Sequence, residues 1–548
     1  MKKIFALLLV ALMLLPCIVS CSGGGGGTVI NNDDEDYTLP VGSINSRDEF
    51  EKEDAERTKE WDGKTLNILA TTWDTAEPGA PWSTAELTIT AENYKKYMSY
   101  TKEQLDAEAA LDTGFGREIN TAMIKRQKLI KDVYGVDVLW TNSKGTMVSN
   151  IITENLANPA GERYHIAMVR ALEAQTLVGN KVLFNLANSP SIDLSKSYFN
   201  QVALESYSVA GNTYFVAGDF SFLDEQTSYL IFLNLGLVKS STIPNLYQKV
   251  RDGKWTIDEM LSIARNPAFF GDIDKTTGYQ DTDKYGFGTT NLSRFFQSSG
   301  IQQVSVDETT GLYQISLNDG KVGTLVDKLI DISKASYART KWDGGYGALG
   351  EAFGDDRLLF YNEVVQKFDI FGPQSEKYAD LQIGTLPSPK LNEDQESYYT
   401  PCSYQSTLMC IPKTTPSKRM STYFFDVISW TGQEYLMGYS YDENGEKVYT
   451  YTEDEDGNVV DPGYGYYSYL RAKVKDYKEP GDTMEMITDY IFAGLCYDVG
   501  YMHSWDGLLS SVQGDSYSGD ENKFQTAYEG AYETALAIVE EWNTNWRG

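Results

Sequence analysis

Apolar positions along this chain change period from two to about 3.6 and back, and the order of those changes makes its first structural statement. Thr65-Leu-Asn-Ile-Leu-Ala70 is a short apolar run of the length of a buried strand. From Ile119 to Val133 the residues Ile119, Met123, Ile130 and Val133 fall on one helical face, with Lys and Arg toward the end and Gly135 just past it. Val136 to Trp140 predicts a second strand, Val148, Ile151, Ile152 and Leu156 mark a second helix, and His165 to Val169 predicts a third strand. A β-α-β-α-β order implies a parallel sheet with crossover helices.

The middle of the chain opens a second alternating section. Thr256 and Glu259 have the spacing of a capping box, in which the Thr hydroxyl and the Glu carboxylate satisfy each other's backbone N–H groups. Trp255 and Met260 occupy the positions of a hydrophobic staple, so Trp255 reads as structural. Strands are predicted at Tyr285 to Thr290, Arg357 to Tyr361, Leu381 to Thr385 and Leu408 to Ile411. Helices are predicted at Val322 to Ser333, after Pro416 through Met420, Phe424 and Ile428, and at the C-terminus through Phe524, Tyr528, Ala531, Ile538 and Trp542. Residues 440–465 differ in texture. Asp442-Glu-Asn-Gly and Asp454-Glu-Asp-Gly flank Val448-Tyr-Thr-Tyr451, which predicts an exposed β-hairpin insertion. No internal repeat is present, so a solenoid is not expected.

Composition narrows the chemistry. The 548 residues carry 47 Lys+Arg against 78 Asp+Glu, a net charge of −31, with 41% hydrophobic residues. This excludes a disordered acidic tail and argues against a nucleic-acid partner, which needs a basic stripe to neutralise phosphates. The 38 Tyr, 22 Phe and 10 Trp exceed what core filling calls for, so some are expected to face a ligand. His165 and His503, the only two histidines, sit in neither a nucleophile motif nor a zinc motif.

The N-terminus carries an address. Lys2 and Lys3 precede an apolar run from Ile4 to Val19, which is shorter than the roughly 20 residues a spanning helix needs and is suited to a signal peptide, residues 1–20. It ends Ile18-Val19-Ser20-Cys21, similar to a bacterial lipobox, with Cys21 as the lipidated first residue of the mature chain; Pro16 weakens the rival Cys17. Gly23 to Gly27 and the acidic run Asp33 to Asp36 then form a tether over 21–61. The expected location is the outer face of the cytoplasmic membrane, anchored by acyl chains. Cys402, Cys410 and Cys496 are odd in number and permit at most one disulfide.

Several segments, taken in order, resemble the family 1 extracellular solute-binding proteins of bacterial ABC importers, the group that contains maltose-binding protein. They are the lipobox with its Gly-rich tether, Asn120 to Val138 with N-x-x-x-x-x-R…YGV-x-V, Leu246-Tyr247 to Gly253-Lys-Trp-Thr256, and Asp283-Lys-Tyr-Gly-Phe287. Further along come Gly384-Thr-Leu-Pro-Ser-Pro-Lys390, Asp482-Thr-Met-Glu-Met-Ile487 and Tyr497-Asp-Val-Gly-Tyr501. The resemblance implies an α/β fold of the two-lobed periplasmic-binding-protein type II, with a hinge between the lobes. Lobe 1 would comprise 62–220 and 401–480, lobe 2 would comprise 221–400 and 481–548, and the crossings would fall near Ala217 to Thr227 and Tyr398 to Tyr404. It further implies a monomeric, non-enzymatic protein without cofactor that delivers a ligand to a separate ABC permease. No Walker A motif is present.

Ligands of open α/β sheets sit beyond the carboxyl ends of strands. Trp73 and Asp74 follow the first strand, and their indole face and carboxylate suit a sugar ring and its hydroxyls. Arg170 follows the third strand, Asp219 and Asp224 border the first crossing, and Asn362 and Glu363 follow the strand ending at Tyr361. Trp342, Asp343 and Tyr346 in a Gly-rich loop, Tyr404 after the second crossing, and Trp505 with Asp506 complete the candidates. The family often carries a calcium loop before its D-x-Y-G strand. Asp272, Asp274, Asp281 and Asp283 occupy that segment here with spacing that departs from the twelve-residue loop, so no metal is expected and a solvated acidic loop is. The expected ligand is a carbohydrate, an oligosaccharide; a surface glycoside hydrolase, and a sugar-binding sensor or adhesion protein without transport, are the alternatives.

Overall fold

Thr65–Ala70 (β1) lies between Asp137–Asn142 (β2) and Ile166–Arg170 (β3) and runs parallel to both, with Gly116–Tyr134 (α1) and Val148–Ala157 (α2) as the helices that precede β2 and β3. This is the parallel sheet that the alternating periods predict. The computed structural model describes residues 60–70, 116–143, 146–158, 160–189, 191–239, 243–266, 268–269, 282–318, 320–340, 347–371, 377–479, 481–503 and 507–548. Among the described residues no helix is long and apolar enough to cross a membrane.

The chain leaves this sheet through a segment containing the short helix Leu223–Gln226 (α3) and builds a second one. Tyr229–Asn234 (β4), Tyr285–Thr289 (β5), Ala338–Arg339 (β6), Leu358–Val364 (β7) and Ile383–Leu386 (β8) pair in the order β6-β5-β7-β4-β8, with β4 antiparallel to both its neighbours. Ile257–Ala264 (α4) and Val322–Lys334 (α5) pack beside it. A return segment containing Thr400–Pro401 (β9) brings the chain back to add Thr407–Cys410 (β10) antiparallel on the free edge of β3. Lys418–Thr431 (α6) follows. Leu495–Cys496 (β11) is a third crossing, paired in parallel with β9. The architecture is α/β in two lobes, each a sheet with its own helices.

The crossings are packed closely. A Cβ on Gly218 would meet the Tyr198 carbonyl oxygen at 2.1 Å, and one on Gly494 would meet that of Tyr398 at 2.5 Å. Phe524–Trp546 (α7) spans the two cores: Phe524 and Ala535 lie with the second sheet, whereas Val539, Trp542 and Trp546 lie with the first.

Three local readings change in the structure. The strand expected to end at Tyr361 continues to Val364, because β7 pairs on both sides. Asn362 and Glu363 therefore stand in the sheet and not after it. The capping box is half made: Glu259 N donates to the Thr256 hydroxyl at 3.3 Å, while the Glu259 carboxylate pairs with Lys249 at 2.9 Å. Trp255 is fully buried and its indole N–H donates to the Pro387 carbonyl at 2.9 Å, a structural role. The insertion is two hairpins in tandem, Tyr439–Tyr441 with Lys447–Tyr449 and Thr452–Glu453 with Val459–Asp461. Each turn closes on its own aspartate, Asp442 or Asp454, and carries a left-handed glycine, Gly445 or Gly457.

His165 accepts from Asn67 N at 3.1 Å through Nδ1, and burial pushes its pKa from 6.5 down to about 4. The unfolded ring charges near pH 6.5 and the folded one only near 4, so the stability it contributes is complete above 6.5 and is lost as pH falls toward 4. Chemical denaturation of wild type and His165→Gln between pH 7.5 and 4 should show the wild type losing ground across that window. A difference that does not vary with pH would contradict this. Cys402, Cys410 and Cys496 are free and buried.

Candidate functional site

The carboxyl ends of the parallel strands, together with the starts of the antiparallel ones, place side chains at one edge of each sheet. On the first sheet this edge ends in Arg170, whose Nε lies 3.7 Å from the Glu173 carboxylate. Glu173 also accepts from Ser149 N, at the start of α2, at 2.8 Å. Burial raises the Glu173 pKa, opposed by that N–H and by Arg170. Leu172 N donates to the Tyr404 carbonyl at 3.2 Å, which ties the loop before β10 to the same edge.

On the second sheet the edge carries Thr289, Asn362 and Glu363. Thr289 donates to the Asn362 side-chain oxygen at 3.1 Å, and the Asn362 amide donates to the Leu230 carbonyl at 3.2 Å, so both ends of Asn362 are engaged inside the sheet. The Glu363 carboxylate accepts from Val364 N at 2.9 Å. Burial raises its pKa against the opposing pull of Lys367 and Arg294.

Beside the second-sheet edge stands Arg294, in the first turn of the short helix after β5. Its guanidinium lies 4.6 Å from the ring centroid of Tyr229, the first residue of β4, and 4.0 Å from that of Tyr501. Tyr404 and Glu363 are close enough to influence the group electrostatically. Arg294 is 7% exposed, yet its Nε and Nη1 have no hydrogen-bond partner. The guanidinium also hydrogen-bonds the two tyrosines, and its two buried N–H-bearing atoms without a partner are costly to hold, a cost that a ligand acceptor reaching them would remove.

Tyr501 is fixed from behind. It lies in Val499–Met502, a single turn capped by Asp498, whose carboxylate accepts from Gly500 N and Tyr501 N at 3.1 and 3.3 Å. The same carboxylate accepts from Gln303 N and Val304 N at 2.8 and 3.3 Å. Burial raises the Asp498 pKa to about 6 against the opposing pull of these four N–H groups.

Among the solved structures similar to the chain are the following three. An ABC substrate-binding protein from Listeria monocytogenes in complex with cycloalternan shares 10% identity at TM-score 0.45, covering 87% of this chain and 99% of that one. The GacH receptor of Streptomyces glaucescens, solved unliganded and with acarbose, shares 14% identity at TM-score 0.44, covering 86% and 99%. An extracellular solute-binding protein from Staphylococcus aureus in complex with maltose shares 12% identity at TM-score 0.46, covering 88% and 97%. These three neighbours are a substrate-binding protein, a receptor and a solute-binding protein. At these identities and scores the likenesses carry neither a ligand nor a transport partner over to this chain. No protein-family model and no curated protein matches it.

Among the residues singled out from sequence, Glu363 and Tyr404 stand by Arg294, and Arg170 closes the first-sheet edge. Asp219 and Asp224 are engaged at the first crossing: Asp219 accepts from Gln433 Nε2 and the Tyr439 hydroxyl, each at 2.7 Å, and Asp224 from the Tyr497 hydroxyl at 2.6 Å. Trp73, Asp74, Trp342, Asp343, Tyr346, Trp505 and Asp506 lie outside the described residues, as do Cys21, Asp272, Asp274 and Asp281. Asp283 accepts from the Tyr285 hydroxyl at 3.2 Å. Sequence reasoning missed Arg294, Tyr229, Tyr501 and Glu173. The rule that selected Arg170, a loop directly after a strand, selects Arg294 as well. Tyr229 begins its strand, and only the antiparallel course of β4 puts it at this edge.

Proposed function

We propose that this protein captures a carbohydrate, an oligosaccharide, between two lobes and delivers it to the permease of an ABC importer from a lipid anchor at Cys21. The lobes would be 62–220 with 401–480 and 221–400 with 481–548, working as a monomer and without catalysis. The observation that carries the reading is the Arg294 guanidinium, buried against Tyr229 and Tyr501 with Nε and Nη1 unpartnered, beside the Glu363 carboxylate and Tyr404. A sugar offers C–H faces to rings and hydroxyls to donors and carboxylates, and this seam offers each counterpart. Arg294, Tyr229, Glu363 and Tyr501 would belong to the second of these lobes and Tyr404, in the loop before β10, to the first, so a ligand seated there would touch both. Binding energy would then favour the closed form that a permease reads.

The test is a thermal-shift screen of the full chain against mono- and oligosaccharides, with product analysis on every hit. A ligand at 100 times its Kd adds about 2.7 kcal/mol of native-state stability, which is visible as a shift. A saturable shift by an uncleaved sugar supports the proposal. Cleavage of the sugar would replace it with the hydrolase reading, and silence across the panel would remove carbohydrate as the ligand.

A further inference from the structure

A cavity of about 180 Å³ lies beside the first crossing and shares no lining residue with the Arg294 cluster. Asp219 and Glu225 from the crossing, and Tyr439, Tyr441, Lys447 and Tyr467 from the hairpin insertion and the helix after it, form its chemically distinctive wall. Asp219 is satisfied by Gln433 and Tyr439. Glu225 is not: it is 8% exposed, and its Oε2 is buried without a hydrogen-bond partner while the side chain faces the cavity. A buried carboxylate left without a donor is costly to hold, and a donor or a cation brought beside it removes that cost. Burial, and then Asp224 and Asp219, raise the pKa of Glu225, and a neighbouring cation would reverse that shift.

The aromatic part of the wall indicates which cation. Tyr439 stands at 90° to Tyr467 with centroids 5.4 Å apart, and at 88° to Tyr441 with centroids 5.6 Å apart, so the rings form the corners of a box. An ammonium group already occupies one corner: Lys447 Nζ is 4.4 Å from the Tyr439 centroid and 5.3 Å from that of Tyr467. Ring faces at right angles around an ammonium are the means by which proteins hold alkylammonium ligands. A divalent metal fits less well, since among the described residues no group of three or more His, Cys, Asp or Glu side chains is placed to hold one. Lys447 and Tyr441 are exposed, which leaves the box reachable from solvent.

We propose that this cavity binds a small organic ammonium ion, its charge held by Glu225 and its alkyl groups by the rings of Tyr439 and Tyr467, with Lys447 as a resident competitor. The test is calorimetric titration of the full chain with choline chloride and with ethanolamine hydrochloride, against sodium chloride at equal ionic strength. Saturable binding of an ammonium is expected, weakened at least tenfold in Glu225→Gln. In Lys447→Met, where the competing cation is gone, it should strengthen by about threefold to thirtyfold, the span of a cation–π contact. The proposal fails if neither ammonium binds wild type or Lys447→Met, if Glu225→Gln binds as wild type does, or if sodium chloride gives the same heat. Should Glu225→Gln misfold by near-UV circular dichroism, Lys447→Met decides alone, and unchanged or weaker binding there overturns the proposal.

Discussion

Arg294→Met should reduce affinity for whichever sugar the protein binds by about 10- to 100-fold, the cost of losing hydrogen bonds from a charged donor set. The melting temperature of the ligand-free protein should stay nearly level or rise. The two outcomes diverge because Arg294 is buried with Nε and Nη1 unpartnered, so the ligand-free fold carries the desolvation cost of a charge that is only partly compensated until a ligand arrives. Met keeps the apolar stem of the side chain in a buried apolar setting, without the charge and without the donors. A structural arginine would behave otherwise: its removal would lower stability and leave the affinity of the remaining folded fraction untouched. Calorimetric titration together with thermal denaturation of the same preparation separates the two, and unchanged affinity would remove Arg294 from the site.

Asp498→Ala should destabilise the protein by about 3 kcal/mol, since four backbone N–H groups lose one shared acceptor and two of them cap the turn that carries Tyr501. Asp498→Asn should cost clearly less. Oδ1, which serves Val304, Gly500 and Tyr501, has an amide counterpart, whereas Oδ2 toward Gln303 does not. The pH dependence carries its own sign. Burial raises the folded pKa to about 6 from 3.8, so between those values the folded state holds a proton that the unfolded state has released. The stability from this group is therefore present below 3.8 and lost as pH rises through about 6, and wild type should lose stability relative to Asp498→Asn over that interval. The direction is opposite to that expected for His165 in an overlapping window, so the variants must be compared singly. Denaturant unfolding of wild type and both variants from pH 4 to 7 checks size and sign together. A pH-independent gap to Asp498→Asn would mean that the carboxylate stays ionised in the folded chain.

Much of the fold was legible because its signals are local. Ile119, Met123 and Ile130 mark one face of α1 whatever surrounds the helix, and Gly135 stops it with a φ of 67°. The aspartate-led turns at Asp442 and Asp454 are likewise written in four or five consecutive residues. Their division into two hairpins was less so, because the alternating run from Val448 to Tyr451 fits one ladder or the junction of two. The strand Tyr229–Asn234 went unread for a related reason. An apolar run gives no direction, and its place at the centre of the second sheet comes from pairing with strands more than a hundred residues later. The candidate site was legible only where a strand runs with its neighbours. Arg170 and Glu363 follow that geometry, whereas Tyr229 and Tyr501 reach the seam through an antiparallel strand and a capped turn.

The sequence by itself determined the periods, and with them the alternation of strands and helices, the acidic surface, the signal-like N-terminus and the excess of aromatic side chains. Each is a property of neighbours along the chain, set by backbone geometry and side-chain solubility within a few residues. Tertiary structure alone decided that Arg294 stands between Tyr229 and Tyr501, that Glu225 faces a cavity without a donor, and that Lys447 enters a box of tyrosines. Arg294 joins rings 65 and 207 positions away, Glu225 faces a hairpin more than 200 positions later, and even the tyrosine box around Lys447 brings a hairpin and a helix together. The cost of burying a charge or leaving a donor unpaired depends on what surrounds it in space.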